Sequence, residues 1–242
     1  MRISISMLAP IIAAGFFLQN TPAAESTDDF RFSLEEMQDI ANPHKLSWRI
    51  FYDEPSKGPD AAWFDAVKRG NLEAVQDMVE NGQNIEATDD ESLGQTALGW
   101  AAFIGYEDMV DYLIAQGADL HAKDRGDVFN ALKSAVLGKN TDIVKKLYAL
   151  LEDETDINNQ TLDSQGETML MIAASNNRLE TAEYLLSLGA DPNLVTTIRR
   201  KNNPAYDQSA LSYACDRGYP DMQKLLIEHG AINHRTGTAS CE

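Results

Sequence analysis

A seven-residue phrase recurs along this chain at a step close to 34 residues. Its clearest copy is Thr96-Ala97-Leu98-Gly99-Trp100-Ala101-Ala102, and others are Thr168-Met169-Leu170-Met171-Ile172-Ala173-Ala174 and Ser209-Ala210-Leu211-Ser212-Tyr213-Ala214-Cys215. A unit this short cannot bury its apolar face alone, so its copies must stack and share one elongated core. The large residue anchoring the first helix of each unit falls at Trp63, Leu98, Leu132, Leu170 and Leu211, in steps of 35, 34, 38 and 41. Seven residues beyond each anchor stands a turn position: Gly70, Gly105, Lys139, Asn177 and Gly218. Glycine and asparagine tolerate the left-handed backbone that ends a helix; Lys139 departs from that rule, although Gly138 stands beside it. A second apolar stripe follows each turn at i, i+3, i+4 spacing: Val75, Met78, Val79; Met109, Val110, Leu113, Ile114; Ile143, Val144, Leu147; Ala182, Leu185, Leu186; Met222, Leu225, Leu226. That period predicts a second helix with one buried face. Gly82, Gly117, Gly189 and Gly230 stop four of the five second helices.

Taken together, Thr-x-Leu-x-x-Ala-Ala, the turn glycine, the apolar second helix and the closing Gly-Ala-Asp of Gly117-Ala118-Asp119 and Gly189-Ala190-Asp191 resemble the ankyrin repeat. Asn193 and Asn233 fit the asparagine that often follows that closing motif. The resemblance covers about residues 60–235. It implies an all-α solenoid of about five helix-turn-helix repeats, with a loop or β-hairpin projecting between repeats, and a role in binding other proteins rather than in catalysis. The chain accordingly divides into a signal peptide (1–24), a non-repeat N-terminal extension or cap (25–59), the repeat domain (60–235) and a short tail (236–242).

Three departures stand out. The third copy, Asn130-Ala131-Leu132-Lys133-Ser134-Ala135, keeps part of the pattern, and Glu152-Asp153-Glu154 replaces its closing motif. The longer steps before the fourth and fifth copies imply enlarged loops at about 152–166 and 194–207, and repeat insertions generally collect on one face. In the extension, Ser33-Leu34-Glu35-Glu36 reads as a capping box. Trp48, Phe51 and Tyr52 are too apolar to be left in water, so the extension is expected to lie over the open N-terminal end of the stack.

Charge narrows the function. The chain carries 38 Asp plus Glu against 20 Lys plus Arg, a net of −18. That field repels nucleic acid and anionic membrane surfaces and favours a basic partner or simple solubility. At the N-terminus, Arg2 precedes an apolar stretch from Ile3 to Leu18, broken by Pro10, and small residues follow at Thr21-Pro22-Ala23-Ala24. This reads as an exported protein's signal peptide rather than a lasting membrane span. The two cysteines, Cys215 and Cys241, could pair in an oxidising compartment; alternatively Cys215 fills a small buried slot.

Motifs for catalysis are few. Gly138-Lys139-Asn140-Thr141 lacks the spacing of a phosphate-binding loop. His44, His121, His229 and His234 have no partners at zinc-site spacing, and His229 fits a helix C-terminus. Asp89-Asp90-Glu91 and Glu152-Asp153-Glu154 lack the alternating ligands and glycine of a calcium loop and read as solvated. Asn159-Gln160-Thr161 is a glycosylation sequon, useful only in a eukaryotic source. No cofactor or metal is expected.

Candidate partner-binding residues lie on the inner face and the loops. The inner pairs after Ala-Ala include Lys68-Arg69, Phe103-Ile104, Ser175-Asn176 and Asp216-Arg217. Phe103 and Ile104 are apolar where exposure is expected: they either pack under the extension or anchor a partner. Arg69, Asn176 and Arg217 complete that face. Asp89, Asp90, Arg125 and Asp127 lie on inter-repeat loops, and Arg199, Arg200 and Lys201 form a basic patch on the longest loop. Exported bacterial ankyrin proteins resemble, in several cases, immunity proteins encoded with secreted antibacterial enzymes. The expectation is therefore a non-catalytic periplasmic module that sequesters a basic secreted effector, such as a lipase. Alternatives are a catalase-associated role in peroxide protection and an enzyme with an unrecognised site.

Overall fold

The computed structural model of the chain describes residues 30–33, 35–37, 55–126, 129–162 and 164–241. The proposed signal peptide, Trp48, Phe51, Tyr52 and Asp127 lie outside them. Five antiparallel helical hairpins follow one another: α1 (Ala61–Lys68) with α2 (Leu72–Glu80), α3 (Ala97–Ile104) with α4 (Glu107–Ala115), α5 (Ala131–Leu137) with α6 (Thr141–Leu151), α7 (Met169–Ser175) with α8 (Leu179–Ser187), and α9 (Ala210–Arg217) with α10 (Pro220–Glu228). The first helices stack in one row, α1 on α3, α3 on α5, α5 on α7 and α7 on α9. The second helices form an outer row, in which α6 packs on α8 and α8 on α10.

The recurrent phrase has a local cause. Its opening polar residue caps the inner helix: the backbone N–H of Gly99 donates to Thr96 Oγ1 (3.1 Å), that of Lys133 to Asn130 Oδ1 (3.0 Å), that of Met171 to Thr168 Oγ1 (3.3 Å) and that of Ser212 to Ser209 Oγ (3.3 Å). Such a cap satisfies a donor the helix leaves orphaned and is worth about 1 kcal/mol. The five anchors Trp63, Leu98, Leu132, Leu170 and Leu211 are all buried in one continuous core. The outer stripes are mostly buried too; Met78, Val79, Ile114 and Leu225 are half-buried.

Lys139 departs from the turn pattern because the third repeat turns differently. Gly70, Gly105, Asn177 and Gly218 all have positive φ, whereas Gly138 is extended at φ −68° and ψ −171°. Glycine is required at 138 for closeness instead: a Cβ there would stand 2.6 Å from the Phe103 carbonyl oxygen. The same repeat closes without glycine. Helix α6 runs into a 3₁₀ turn at Glu152–Glu154, and Thr155 Oγ1 donates to the Leu151 carbonyl (2.8 Å).

Between the first two repeats, β1 (Thr88–Asp89) pairs antiparallel with β2 (Gln95–Thr96), Thr88 opposite Thr96. Loop side chains then tie each repeat to the next. Glu86 accepts from the Asp119 N–H (2.8 Å), Asn158 from that of Asp191 (2.8 Å), and Asn193 from that of Ile232 (2.8 Å) while donating to the Gly230 carbonyl (3.1 Å). The two enlarged loops pack on each other. The Thr197 N–H donates to the Gln165 carbonyl (2.9 Å), and Gln160 Nε2 bridges the Gly166 and Val195 carbonyls.

The described part of the extension goes to two places, only one of them at the N-terminal end of the stack. Residues 55–60 do lie against α1, with the Ser56 N–H donating to Asp65 (2.7 Å). Residues 30–33 and 35–37, however, lie against the far ends of the inner helices of repeats two to four. The Phe32 N–H donates to the Ile104 carbonyl (3.0 Å), and Phe30 O comes so close to Gly105 that a Cβ there would meet it at 2.4 Å.

Candidate protein-binding surface

The inner-face residues divide according to what covers them. Phe103 and Ile104, expected as exposed anchors, are buried, at 4% and 0% relative exposure. The chain covers them itself: the Phe32 ring stacks on Phe103 with centroids 5.0 Å apart. Lys139 Nζ lies 5.0 Å from the centroid of the Phe32 ring, and Arg178 Cζ 5.2 Å from it. Lys139 also forms an ion pair with Glu36. The capping box read in the extension is present, with the Ser33 N–H on Glu36 Oε2 (2.8 Å) and the Glu36 N–H on Ser33 Oγ (3.1 Å). Burial alone would push the Glu36 carboxyl up, but hydrogen bonds from Lys139 and Ser33 outweigh it and leave the pKa below its usual 4.5. Burial draws the Arg178 guanidinium down to about 10, so it stays charged at neutral pH; its Nε donates to the Leu137 carbonyl (3.0 Å).

Asp89, read as a solvated loop residue, is instead 2% exposed. Its Oδ2 meets Lys68 Nζ at 2.6 Å and accepts from Trp100 Nε1 at 3.1 Å. Lys68 also donates to Ser56 Oγ (2.9 Å) and stands 5.0 Å from the centroid of the Trp100 ring. This buried cluster fastens the β-hairpin and the residue 55–60 segment to the inner helices, and no partner reaches it. Its neighbour Asp90 is exposed and pairs with Arg125 at 2.8 Å, also at the surface. Asn176 is half-buried and bonds back to the Ile172 carbonyl (2.8 Å), ending α7. Arg69 and Arg217 are exposed.

Arg199, Arg200 and Lys201 are exposed on a loop that is built rather than loose. Asn203 and Tyr206 turn back on Arg200 and Asn203 through backbone hydrogen bonds (2.9 Å each), and the Thr196 N–H closes the loop on the Gln208 carbonyl (2.9 Å). The C-terminal tail braces it. Arg235 donates to the Pro204 and Tyr206 carbonyls and lies 3.5 Å from Asp216. Cys215 and Cys241 are joined by a disulfide, Cα atoms 5.2 Å apart, which holds the tail on α9. A shallow recess of about 510 Å³ opens between loop and tail, lined by Lys201, Tyr206, Asp207 and Arg235 among others. Arg235, the last residue of the repeat domain, is not among the sequence candidates because it falls just past the Asn233 motif and carries no repeat signal.

Acidic side chains crowd the outer row: Glu73, Asp77 and Glu80 on α2, Asp108 and Asp111 on α4, Glu152, Asp153 and Glu154 on the turn after α6, and Glu180 and Glu183 on α8, all exposed. Among the described residues no three His, Cys, Asp or Glu side chains gather as a metal site, and no helix is long and apolar enough to cross a membrane.

Stacked helical hairpins with an acidic outer row and charged loops between repeats define a protein-binding scaffold. The chain belongs to the ankyrin-repeat family: a model of three ankyrin repeats matches residues 63–161 and 127–196, and a single-repeat model matches 206–237. Similar proteins include an L-asparaginase of Dirofilaria immitis, 33% identical over 52% of this chain and 26% of that protein. A palmitoyltransferase of Lachancea kluyveri is 28% identical over 82% of this chain and 25% of its own length. A putative ankyrin repeat protein of Rickettsia felis is 31% identical over 54% of this chain and 41% of its own. The matches thus span a quarter to two fifths of these relatives. Ankyrin domains are generally non-catalytic modules for protein interaction.

Proposed function

We propose that this chain is an exported, non-catalytic binding protein that captures a basic partner protein, in the manner of an immunity protein sequestering a secreted effector enzyme. The observation that carries the reading is the acidic outer surface, exposed on α2, α4 and α8 of a molecule with net charge −18. Such a field attracts a cationic protein over several ångströms and repels polyanions. Export is supported by the apolar stretch from Ile3 to Leu18 with small residues up to Ala24, and by the disulfide between Cys215 and Cys241, a bond that persists in oxidising compartments. The enzyme names among the relatives do not transfer, because the similarity reaches only about a quarter of each such protein.

The test is co-purification from a periplasmic extract of the native host, followed by binding to effectors encoded beside the gene. The expected result is one basic protein held at nanomolar affinity and inhibited when bound. Recovery of acidic partners alone, or a deletion strain unharmed by every co-encoded effector, removes the reading.

A further inference from the structure

The departures from the repeat pattern in repeats two to four converge on one point. Phe103 is aromatic where solvent exposure is expected, Lys139 occupies a turn position held elsewhere by glycine or asparagine, and Arg178 follows the next turn. All three surround the ring of Phe32. The described contacts of the Lys139 ammonium are with Glu36 and Phe32, both on the segment. Three successive repeats have thus built a slot for an aromatic side chain between a ring and two cations, with a cationic contact for a carboxylate four residues later. Cations over an aromatic face and a paired carboxylate are the two interactions this slot supplies.

The segment that fills the slot is held at few points. Its described backbone hydrogen bond to the repeats is the Phe32 N–H on the Ile104 carbonyl, the Phe30 carbonyl packs against Gly105, Arg31 lies over the Tyr106 ring, its buried side chains are Phe32 and Met37, and Phe30 is left 37% exposed. In sequence it precedes residue 55 by the positions 38–54, and a competitor linked within one chain over such a distance acts at an effective concentration on the order of 1 mM.

We propose that this slot is a peptide-binding site for a partner segment carrying an aromatic side chain and, one helical turn on, a carboxylate, and that residues 30–37 are an internal competitor that occupies it until such a partner displaces them. The proposal is independent of the export, charge and identity of the partner in the preceding section, because it concerns a different face and is tested without that partner.

The probe is a synthetic fluorescent peptide of residues 29–38, titrated by anisotropy against the full chain. In the double variant F32A/E36A the slot is emptied, and the peptide should bind with a Kd on the order of 10–100 µM; the wild-type chain, whose own segment competes at about 1 mM, should bind it about 10- to 100-fold more weakly. Peptide with Ala in place of Phe32 should not bind, and adding Lys139→Ala to the double variant should weaken binding at least about 5-fold, with helical circular dichroism unchanged. Glu36→Lys, which sets a third cation beside Lys139 and Arg178 while leaving Phe32 in place, should also admit the peptide. Equal binding to wild type and double variant, or none to a folded double variant, overturns the proposal. So does failure of both F32A/E36A and E36K to fold, which would make the segment a structural part of the core. A wild-type dimer with exchanged segments would overturn the internal competition.

Discussion

Asp89 and Asp90 are adjacent in sequence and opposite in fate. Asp89 is buried against Lys68 and Trp100, while Asp90 meets Arg125 in water. Removing one partner of a buried ion pair strands the other charge at low dielectric, whereas an exposed pair is screened. Asp89→Ala should therefore lower stability by about 3–5 kcal/mol and Asp90→Ala by less than about 1 kcal/mol, as read from denaturant midpoints. A run of three acidic residues in sequence gives no sign of this difference, because the burial comes from Lys68, Ser56 and Trp100, each reaching in from another element. Glu36 adds a pH dependence. Its folded pKa lies below 4.5, so its contribution to docking is complete above 4.5 and is lost as pH falls through the lowered value. Lys139 and Arg178 are the cations that face the segment, Arg31 lies on the segment itself over the Tyr106 ring, and Glu35 is exposed. Hydrogen-exchange protection factors at residues 30–37, with the slowing of intrinsic exchange in acid divided out, should thus fall on acidification, and Glu36→Gln should show low protection at every pH.

The elements themselves were legible from spacing alone. Anchors, caps and outer stripes recur because each solves the same local problem, an orphaned donor or an uncovered apolar face, and the ten helices fall where that period puts them. The candidate surface was legible only in part. Phe103 could be read as anchor or as core, and what decides between them is Phe32, about 70 residues earlier and outside the repeat. Such a contact has no periodicity to betray it. The C-terminal element shows the same limit: the tail reads as polar and unpatterned, yet the disulfide and Arg235 fasten it to α9 and the 194–207 loop. The two cysteines are 26 residues apart, a loop for which chain entropy assigns about 3–4 kcal/mol. Replacing both by serine should loosen the last hairpin first. Hydrogen exchange in α9 and α10 should rise while α3 and α5 stay protected, because each repeat of a solenoid contacts only its neighbours.

At the scale of the whole molecule, shape and charge are separated. The inner row ends in a small cationic slot occupied by the chain's own segment, the outer row is acidic, and the only long loop with three consecutive basic residues stands at the C-terminal end beside Arg235. A molecule arranged this way has two means of recognition that respond differently to solvent. The slot works at short range through a ring and a buried guanidinium, which salt screens little; the acidic face acts at a distance and is screened within a Debye length. Raising ionic strength from ~0.01 to ~0.15 M shortens that length from ~30 to ~8 Å, so association with a basic partner through the outer face should slow by about tenfold or more while its dissociation changes little. Stopped-flow rates across that range check it. Charge reversal on α2, such as Glu73→Lys with Asp77→Lys, should flatten the salt dependence without moving the melting temperature by more than a few degrees, since both side chains are exposed and make no core contact. An association rate indifferent to salt would mean that the partner docks by shape alone and that the acidic face serves only solubility.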